Sequence, residues 1–392
     1  METNISPVQE SKRLVWIDAA RGFAIFGIFI VNIGGFGAPY FIHGGGEDVW
    51  TSSIDRTTQW VIDVFFQASF YTLFSLLFGF GFQLLNERLI NRNLKPSLFL
   101  FRRLFILICF GLIHAFAIWY GDILLTYGLI GLLLLLFLRV KPSTLIIWGT
   151  SLLVGSVGLI SFGLFAVRDL LGGANDDGIA QALVNYRSGS LITIWTQNYQ
   201  DWVFGNGGIS YLLLVTTLLP LFLFGMYLAQ KKWLHEPQKH KAILIRLWAI
   251  SFVLFIGIKM GIYLFGNPLW FAYIQDNIGG TASAIFYISS ITLIGQNNLG
   301  GKLIKPLIAV GRMSLTNYIM QSLICFILFY GVGFGLYGYV GPFTTVLIVL
   351  LVFIIQIFIS KWWFHHFLFG PLEWIWRSLM YVKRQPFRKK KV

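Results

Sequence analysis

The stretch 110–127, F-G-L-I-H-A-F-A-I-W-Y-G-D-I-L-L-T-Y, joins two apolar segments through Trp119-Tyr120-Gly121-Asp122. His114 lies within the first segment and Asp122 opens the second. So short a link predicts a tight helical hairpin. An ionisable residue in hydrocarbon is costly and usually marks a pathway or a site. His114 and Asp122 are therefore the first candidates for chemistry, as a base and a carboxylate that orients it. The plainer alternative is a histidine at a helix end, solvated at headgroup level.

Other polar residues interrupt apolar runs. Asp18 and Arg21 open the first run three residues apart, on one helix face. They are either an ion pair at the membrane surface or an anion site, since the arginine fork suits phosphate. Asn32 lies eleven residues beyond Arg21, about 16 Å along the same helix. Asp63 opens the second run at a depth close to that of His114, where it is a second candidate to orient the histidine. Gly79 and Gly81 follow in the same run, and glycine there serves close helix approach. Lys259 lies deep in an apolar run, to snorkel or to pair. In G-R-M-S-L-T-N-Y-I-M-Q-S, Ser314, Asn317 and Gln321 share a helix face above Arg312. That stripe suits the passage of a polar cargo, or else plain interhelical hydrogen bonding. His365 and His366 are adjacent and badly spaced for one metal, and no metal-binding or Walker motif occurs.

The elements that must position these residues are set by composition. Of 392 residues, 56% are hydrophobic and only 12% charged, which identifies an all-α, polytopic membrane protein with the lipid bilayer as its first partner. Ten spans are expected, at about 15–35, 59–85, 99–119, 122–139, 143–167, 210–229, 241–265, 279–296, 306–332 and 342–361. The formal charge of +14 would suggest nucleic acid in a soluble chain; here it follows the positive-inside rule, and no nucleic acid is expected. Lys and Arg number 24 in the segments on the N-terminal side and 3 in those opposite, so both termini are expected in the cytoplasm. No cleavable leader is expected before the first span. Segment 36–58 carries His43 and Gly44-Gly45-Gly46. Segment 168–209 is a long extracytoplasmic loop rich in Trp, Tyr and amides, suited to headgroup level or to a sugar-like ligand. Segment 362–392 reads as an interfacial amphipathic helix, with Glu373 and Arg377 as an i,i+4 pair, and a basic tail. No domain boundary appears, and Cys109 and Cys325 sit inside apolar runs, without sign of a disulfide framework.

Five segments, in order, resemble the YeiB-like family of bacterial membrane proteins: I-D-A-A-R-G-F-A-I-F-G-I-F-I-V-N-I, F-Y-T-L-F-S-L-L-F-G-F-G, H-A-F-A-I-W-Y-G-D-I-L-L-T-Y, G-R-M-S-L-T-N-Y-I-M-Q-S and G-P-L-E-W-I-W-R. The resemblance runs from about Arg13 to Tyr381 and implies a multi-pass protein of the bacterial plasma (inner) membrane. More distantly, that family resembles the transmembrane acyltransferases, including heparan-α-glucosaminide N-acetyltransferase and the acyltransferases of bacterial surface polysaccharides. This implies an acyl group carried from cytoplasmic acetyl-CoA or another acyl-CoA, with no permanently bound cofactor, to an extracytoplasmic acceptor such as a sugar or cell-envelope component. A homodimer is implied by the same analogy. On this reading Arg21, Arg312 and Arg377 would bind CoA phosphates, and Ser314, Asn317 and Gln321 would line the way for the pantetheine arm. His114, or next His43, would be the base, oriented by Asp122 or Asp63, and Asn32 would donate to the thioester carbonyl. The polysaccharide acyltransferases place His where this chain has Asn32, and an amide is no base. The alternative reading is a transporter or binding protein for a small amphiphilic or anionic solute. A structural or signalling membrane protein is a third, and it leaves the buried polar residues unexplained.

Overall fold

The computed structural model describes residues 13–170, 173–266 and 268–389. Its helices, in chain order, are α1 (Val15–Gly37), α2 (Ser53–Val61), α3 (Ser69–Ile90), α4 (Pro96–Ala117), α5 (Leu124–Leu132), α6 (Pro142–Ala166), α7 (Asp176–Tyr186) and α8 (Leu191–Asn206), then α9 (Ile209–Gln230), α10 (Lys241–Phe265), α11 (Leu269–Ile274), α12 (Gly280–Ile294), α13 (Asn298–Arg312), α14 (Ser314–Phe329), α15 (Pro342–His366) and α16 (Pro371–Tyr381). Among the described residues no strand forms, only an isolated bridge between Phe367 and Arg388. Closed backbone hydrogen bonding of this kind is what a bilayer demands. Proline opens α4, α6, α15 and α16, where its missing N–H costs nothing.

Among the described residues, eight helices are long and apolar enough to cross a membrane, and a ninth if α13 and α14 count as one span bent by 78°. The protein is thus a multi-pass membrane protein. The tenth expected span, 122–139, is shorter: the nine residues of α5 continue into five of 3₁₀ helix, Leu133–Phe137. It still returns beside α4. A Cβ on Gly111 would strike Leu125, and one on Gly128 would strike Ile108, an antiparallel register that makes the hairpin read from the sequence. At the hairpin's tip Trp119 stacks on Phe36, with centroids 4.0 Å apart.

The expected helix at 59–85 is broken. α2 runs into a π-helical turn, Ile62–Phe66, and Ala68 takes a left-handed conformation with φ 55° before α3. Lys259 meets this break: its Nζ donates to the Gln67 carbonyl at 2.6 Å and lies 3.7 Å from Asp276. It pairs, in other words, rather than snorkels. The expected loop 168–209 folds as well, into α7 and α8. Tyr186, Gln197, Asn198 and Asp201 are buried there, and Trp195 donates to the Ala117 carbonyl. Lys390 and Lys391 of the basic tail lie outside the described residues.

Close backbone contact governs the packing. A Cβ on Gly79 would collide with the Phe222 carbonyl of α9, and one on Gly225 with the Leu76 carbonyl of α3. Gly22 and Gly311 place α1 against α13 in the same way. Gly81 differs, because the atom nearest its absent Cβ is Arg21 Nη2 at 2.9 Å. Apolar side chains such as Leu159, Phe162 and Leu264 point outwards, towards lipid. Replacing Gly79 by Leu should cost at least the 1–3 kcal/mol typical of roughly one overpacked site. The thermal unfolding midpoint in detergent should fall, whereas Gly155→Leu, with nothing within 4 Å of its Cβ, should stay near wild type. Equal midpoints would refute the close α3–α9 contact.

Candidate functional site

Asp122 is held at the start of α5. Its Oδ2 accepts the Leu125 backbone N–H at 2.6 Å, the interaction that favours a carboxylate at a helix N-terminus. Its Oδ1 is 2.8 Å from His114 Nδ1 across the hairpin. The opposite ring nitrogen, Nε2, is 2.8 Å from Ser322 Oγ on α14. Since a carboxylate only accepts, Nδ1 carries the proton; in the neutral ring Nε2 then accepts from the Ser322 hydroxyl, whose Oγ also lies 3.2 Å from the Tyr318 carbonyl. The group has the order and contacts of a serine–histidine–aspartate triad. His114 is 0% and Ser322 1% exposed, so bulk solvent does not reach the pair.

Beside the triad lies a cavity. The Tyr318 ring lies 5.1 Å from the His114 ring, centroid to centroid, and Tyr318, Ile123 and Leu124 form the cavity's inner wall. The cavity holds about 270 Å³ and its lining on α1 runs from Leu14 to Ile28. At 1.5 Å per residue that is a depth of about 20 Å. Its deep half is apolar, with Ile25, Ile28, Leu77, Phe78, Leu107 and Tyr127. Its mouth carries seven arginines, at 13, 21, 88, 92, 103, 312 and 377, against two acids, Asp18 and Glu373.

These two acids are already engaged. Asp18 takes Arg13 at 2.8 Å and Arg21 at 3.5 Å, fixing both guanidinium groups at the rim. Glu373 does not pair with Arg377, contrary to the i,i+4 expectation. Its carboxylate instead accepts from Leu315 N at 2.8 Å, Thr316 N at 3.1 Å and Thr316 Oγ1 at 2.6 Å, capping α14 where the 78° bend leaves donors exposed. Arg377 faces the Phe369 ring at 4.8 Å. Burial pulls its pKa below the ordinary guanidinium value, and the charges of Arg13 and Arg88 add to this. Arg103 lies over the Trp376 ring at 4.3 Å, and its Nε is buried without a hydrogen-bond partner. Seven arginines against two acids leave an excess of positive charge at one mouth, and that excess favours an anion.

Several sequence expectations are corrected. Asp63 is not the partner of His114: within the π turn it accepts from Gln59 at 2.8 Å. Asn317 and Gln321 do not line the cavity. Asn317 donates to Ser360 and to the Val310 carbonyl, and Gln321 donates to Gln356, so they join α14 to α15. The cavity face of α14 is the neighbouring row, Leu315 and Tyr318, which continues along the helix to Ser322 beyond the lining. Asn32 continues the cavity face of α1 (Arg21, Ile25, Ile28) but lies beyond the last lining residue. His43 is in the cap at the opposite end, 3.3 Å from Asp201; burial pushes the Asp201 carboxyl up, and hydrogen bonds from Tyr186 and Gln197 pull it back. Arg21, Arg312, Arg377 and Ser314 do line the cavity. The sequence reading missed Ser322, Tyr318, Arg13, Arg88, Arg92 and Arg103. Ser322 was visible as the last letter of the α14 motif; the arginines were absorbed into the count of charged loops. Among the described residues no cluster of three His, Cys, Asp or Glu side chains is placed to hold a metal.

Residues 228–383 match the family described as "Protein of unknown function (DUF418)". The chain is 36% identical to the uncharacterized protein YxaH of Bacillus subtilis (strain 168), over 99% of each chain. It is 31% identical to the uncharacterized protein YeiB of Escherichia coli (strain K12), over 94% of this chain and 96% of that one. An uncharacterized 39.9 kDa protein from the amylase 3' region of Bacillus acidopullulyticus is 27% identical over 99% of each. These likenesses bear out the resemblance read from the motifs.

The Glu373 cap is testable by itself. Glu373→Ala should cost about 1–3 kcal/mol, the range for leaving buried donors unpaired, and Glu373→Gln should cost less because its carbonyl still accepts. Thermal unfolding in detergent reads the difference; equal loss in both variants would mean that the charge, not the cap, matters.

Proposed function

The chain belongs to the DUF418 family, and we propose that it is a membrane acyltransferase, moving an acyl group from an acyl-CoA bound at the arginine-rich end to an acceptor on the opposite side of the membrane. The observation that carries this reading is one continuous arrangement: an anion-binding mouth, an apolar shaft and a buried histidine–aspartate pair behind the shaft's end. Each part matches one part of the donor. Arg21 and Arg377, with Arg103 beside them, face the CoA phosphates as donors of charge-assisted hydrogen bonds. The apolar shaft takes the narrow pantetheine arm and excludes water from the thioester. His114, with the proton held on Nδ1 by Asp122, presents a basic Nε2 towards the reacting group.

The Lys and Arg distribution supports an arginine-rich end in the cytoplasm of a bacterial plasma membrane, where acyl-CoA is made. The acceptor on this reading is a hydroxyl or amine of an envelope sugar or similar component. A carrier for an anionic solute is the competing reading. The broken α13–α14 span favours it in outline, since carriers use half-helix N-termini to hold anions. Here, however, Glu373 occupies that terminus with a negative charge of its own.

Acetyl-CoA added to purified protein in detergent should raise the unfolding midpoint. Arg21→Ala and Arg377→Ala should each weaken binding about 10- to 100-fold, the loss of one charge-assisted contact, while Arg168→Ala, outside the cavity, should bind as wild type. In inside-out vesicles, labelled acetyl-CoA should give a lumenal acetylated product, and His114→Ala should slow its formation about 10²–10⁴-fold. Folded protein that ignores millimolar acetyl-CoA would defeat the reading in favour of solute transport.

A further inference from the structure

We infer that Ser322 carries the acyl group covalently, so that transfer across the protein proceeds in two half-reactions through an acyl-serine. The inference rests on the acyltransferase reading and deepens it. Its basis is that the one group on His114 Nε2, the nitrogen with the free lone pair, is the Ser322 hydroxyl at 2.8 Å. A base meant only for an acceptor would face an open site; this one already holds a nucleophile. Asp122 Oδ1 on Nδ1 and the Leu125 N–H on Oδ2 complete the chain of support.

Position gives the second argument. Ser322 follows Tyr318 by one turn of α14, just past the cavity lining, and the Tyr318 ring is in contact with both the shaft and the His114 ring. Beyond the triad lies the opposite cluster of buried aromatics, with Trp119, Tyr120 and Tyr330. The shaft lining includes Tyr318 and stops short of Ser322, so a donor seated in the shaft meets the Tyr318 ring before the far side. A carrier at the partition resolves this: it is loaded from the shaft when the Tyr318 ring swings aside, and unloaded to the other side.

The balance is simple. Ser322 Oγ attacks the thioester carbonyl carbon; the Oγ–C bond forms and the C–S bond breaks. The Oγ proton passes to His114 Nε2 and then to the departing sulfur, giving free CoA thiol. In the second half-reaction the acceptor hydroxyl or amine gives its proton to Nε2 and bonds to the acyl carbon. The Oγ–C bond then breaks, and Oγ takes the proton back. No oxidation state changes and no further reactant enters.

The competing role for Ser322 is structural, a hydrogen bond that joins α14 to α4. The two are separated by incubating the purified full chain with acetyl-CoA in the absence of acceptor and measuring its intact mass. The wild type should gain one acetyl group, mapped to the α14 peptide at Ser322, with one equivalent of CoA thiol released. Ser322→Ala should still bind acetyl-CoA by thermal shift but gain nothing. Ser322→Cys, which keeps size and hydrogen bond should alanine destabilise the fold, should gain an acetyl group that neutral hydroxylamine removes, as expected of a thioester and not of a serine ester. Asp122→Asn should slow loading at least 100-fold. If the wild type binds acetyl-CoA and forms product in vesicles but never acquires the adduct, and Ser322→Ala forms product as fast, the carrier is refuted and direct transfer stands. If the wild type does not bind acetyl-CoA at all, the acyltransferase reading itself falls, and the carrier with it.

Discussion

A carboxylate removed from water must be given donors, and Asp122 gets them from two directions at once. One is the first turn of α5, through the Leu125 N–H; the other is the imidazole of His114. Everything local follows from that constraint. The start of α5 is fixed beside the end of α4, the hairpin needs its four-residue link, and glycines at 111 and 128 let the two helices close on each other. The imidazole is then locked in one tautomer, with its second nitrogen aimed at α14. A histidine held from one side only would be free to turn and to choose its partner.

The cavity reflects the opposite problem, a surplus of one charge. Seven arginines meet two acids, and each acid has another task, Asp18 in bracing two guanidinium groups and Glu373 in capping a helix. The structure spends little of its own negative charge on neutralising the mouth. Gly81 contributes by absence: with no side chain, it leaves room for the Arg21 guanidinium. Two glycines a pair of residues apart on α3 thus have separate reasons, Gly79 for helix contact and Gly81 for the cavity.

Sequence reasoning reached what local spacing encodes. His114 and Asp122 are eight residues apart across a short link, so chain geometry alone brings them near. Arg21, Arg312 and Arg377 were legible as cations where spans begin or where an amphipathic helix lies. Ser322 stands at the end of the α14 motif, but its partner was not legible, because it joins His114 across 208 positions. Asn317 and Gln321 share a face, as their spacing says, but the bend at Met313 turns that face to α15 and gives the cavity to the neighbouring row. Asp63 was not legible as the partner of Gln59, because spacing does not show that the helix there becomes a π turn. Hydropathy found the apolar segments of the bundle yet overstated the length of the one that became α5, since leucine runs look alike whether they make a full crossing or a shorter one with a 3₁₀ end. The helices of the 168–209 segment escaped notice because their buried faces mix Tyr186, Gln197, Asn198 and Asp201 with only Ala182 and Ile194 as aliphatic side chains.

The separation of charged mouth from apolar shaft bears on the membrane potential. Moving one elementary charge through the full field costs about 2.3 kcal/mol per 100 mV, and a CoA-like anion would carry several. In this cavity the positive groups stop near the rim, and the lining beyond them is aliphatic and aromatic. An anion seated there stays outside most of the voltage drop. On the proposed reading the acyl group that travels farther is uncharged and its own passage does no electrical work; the one charge that moves through part of the field is the proton that leaves the acceptor and ends on the CoA thiol.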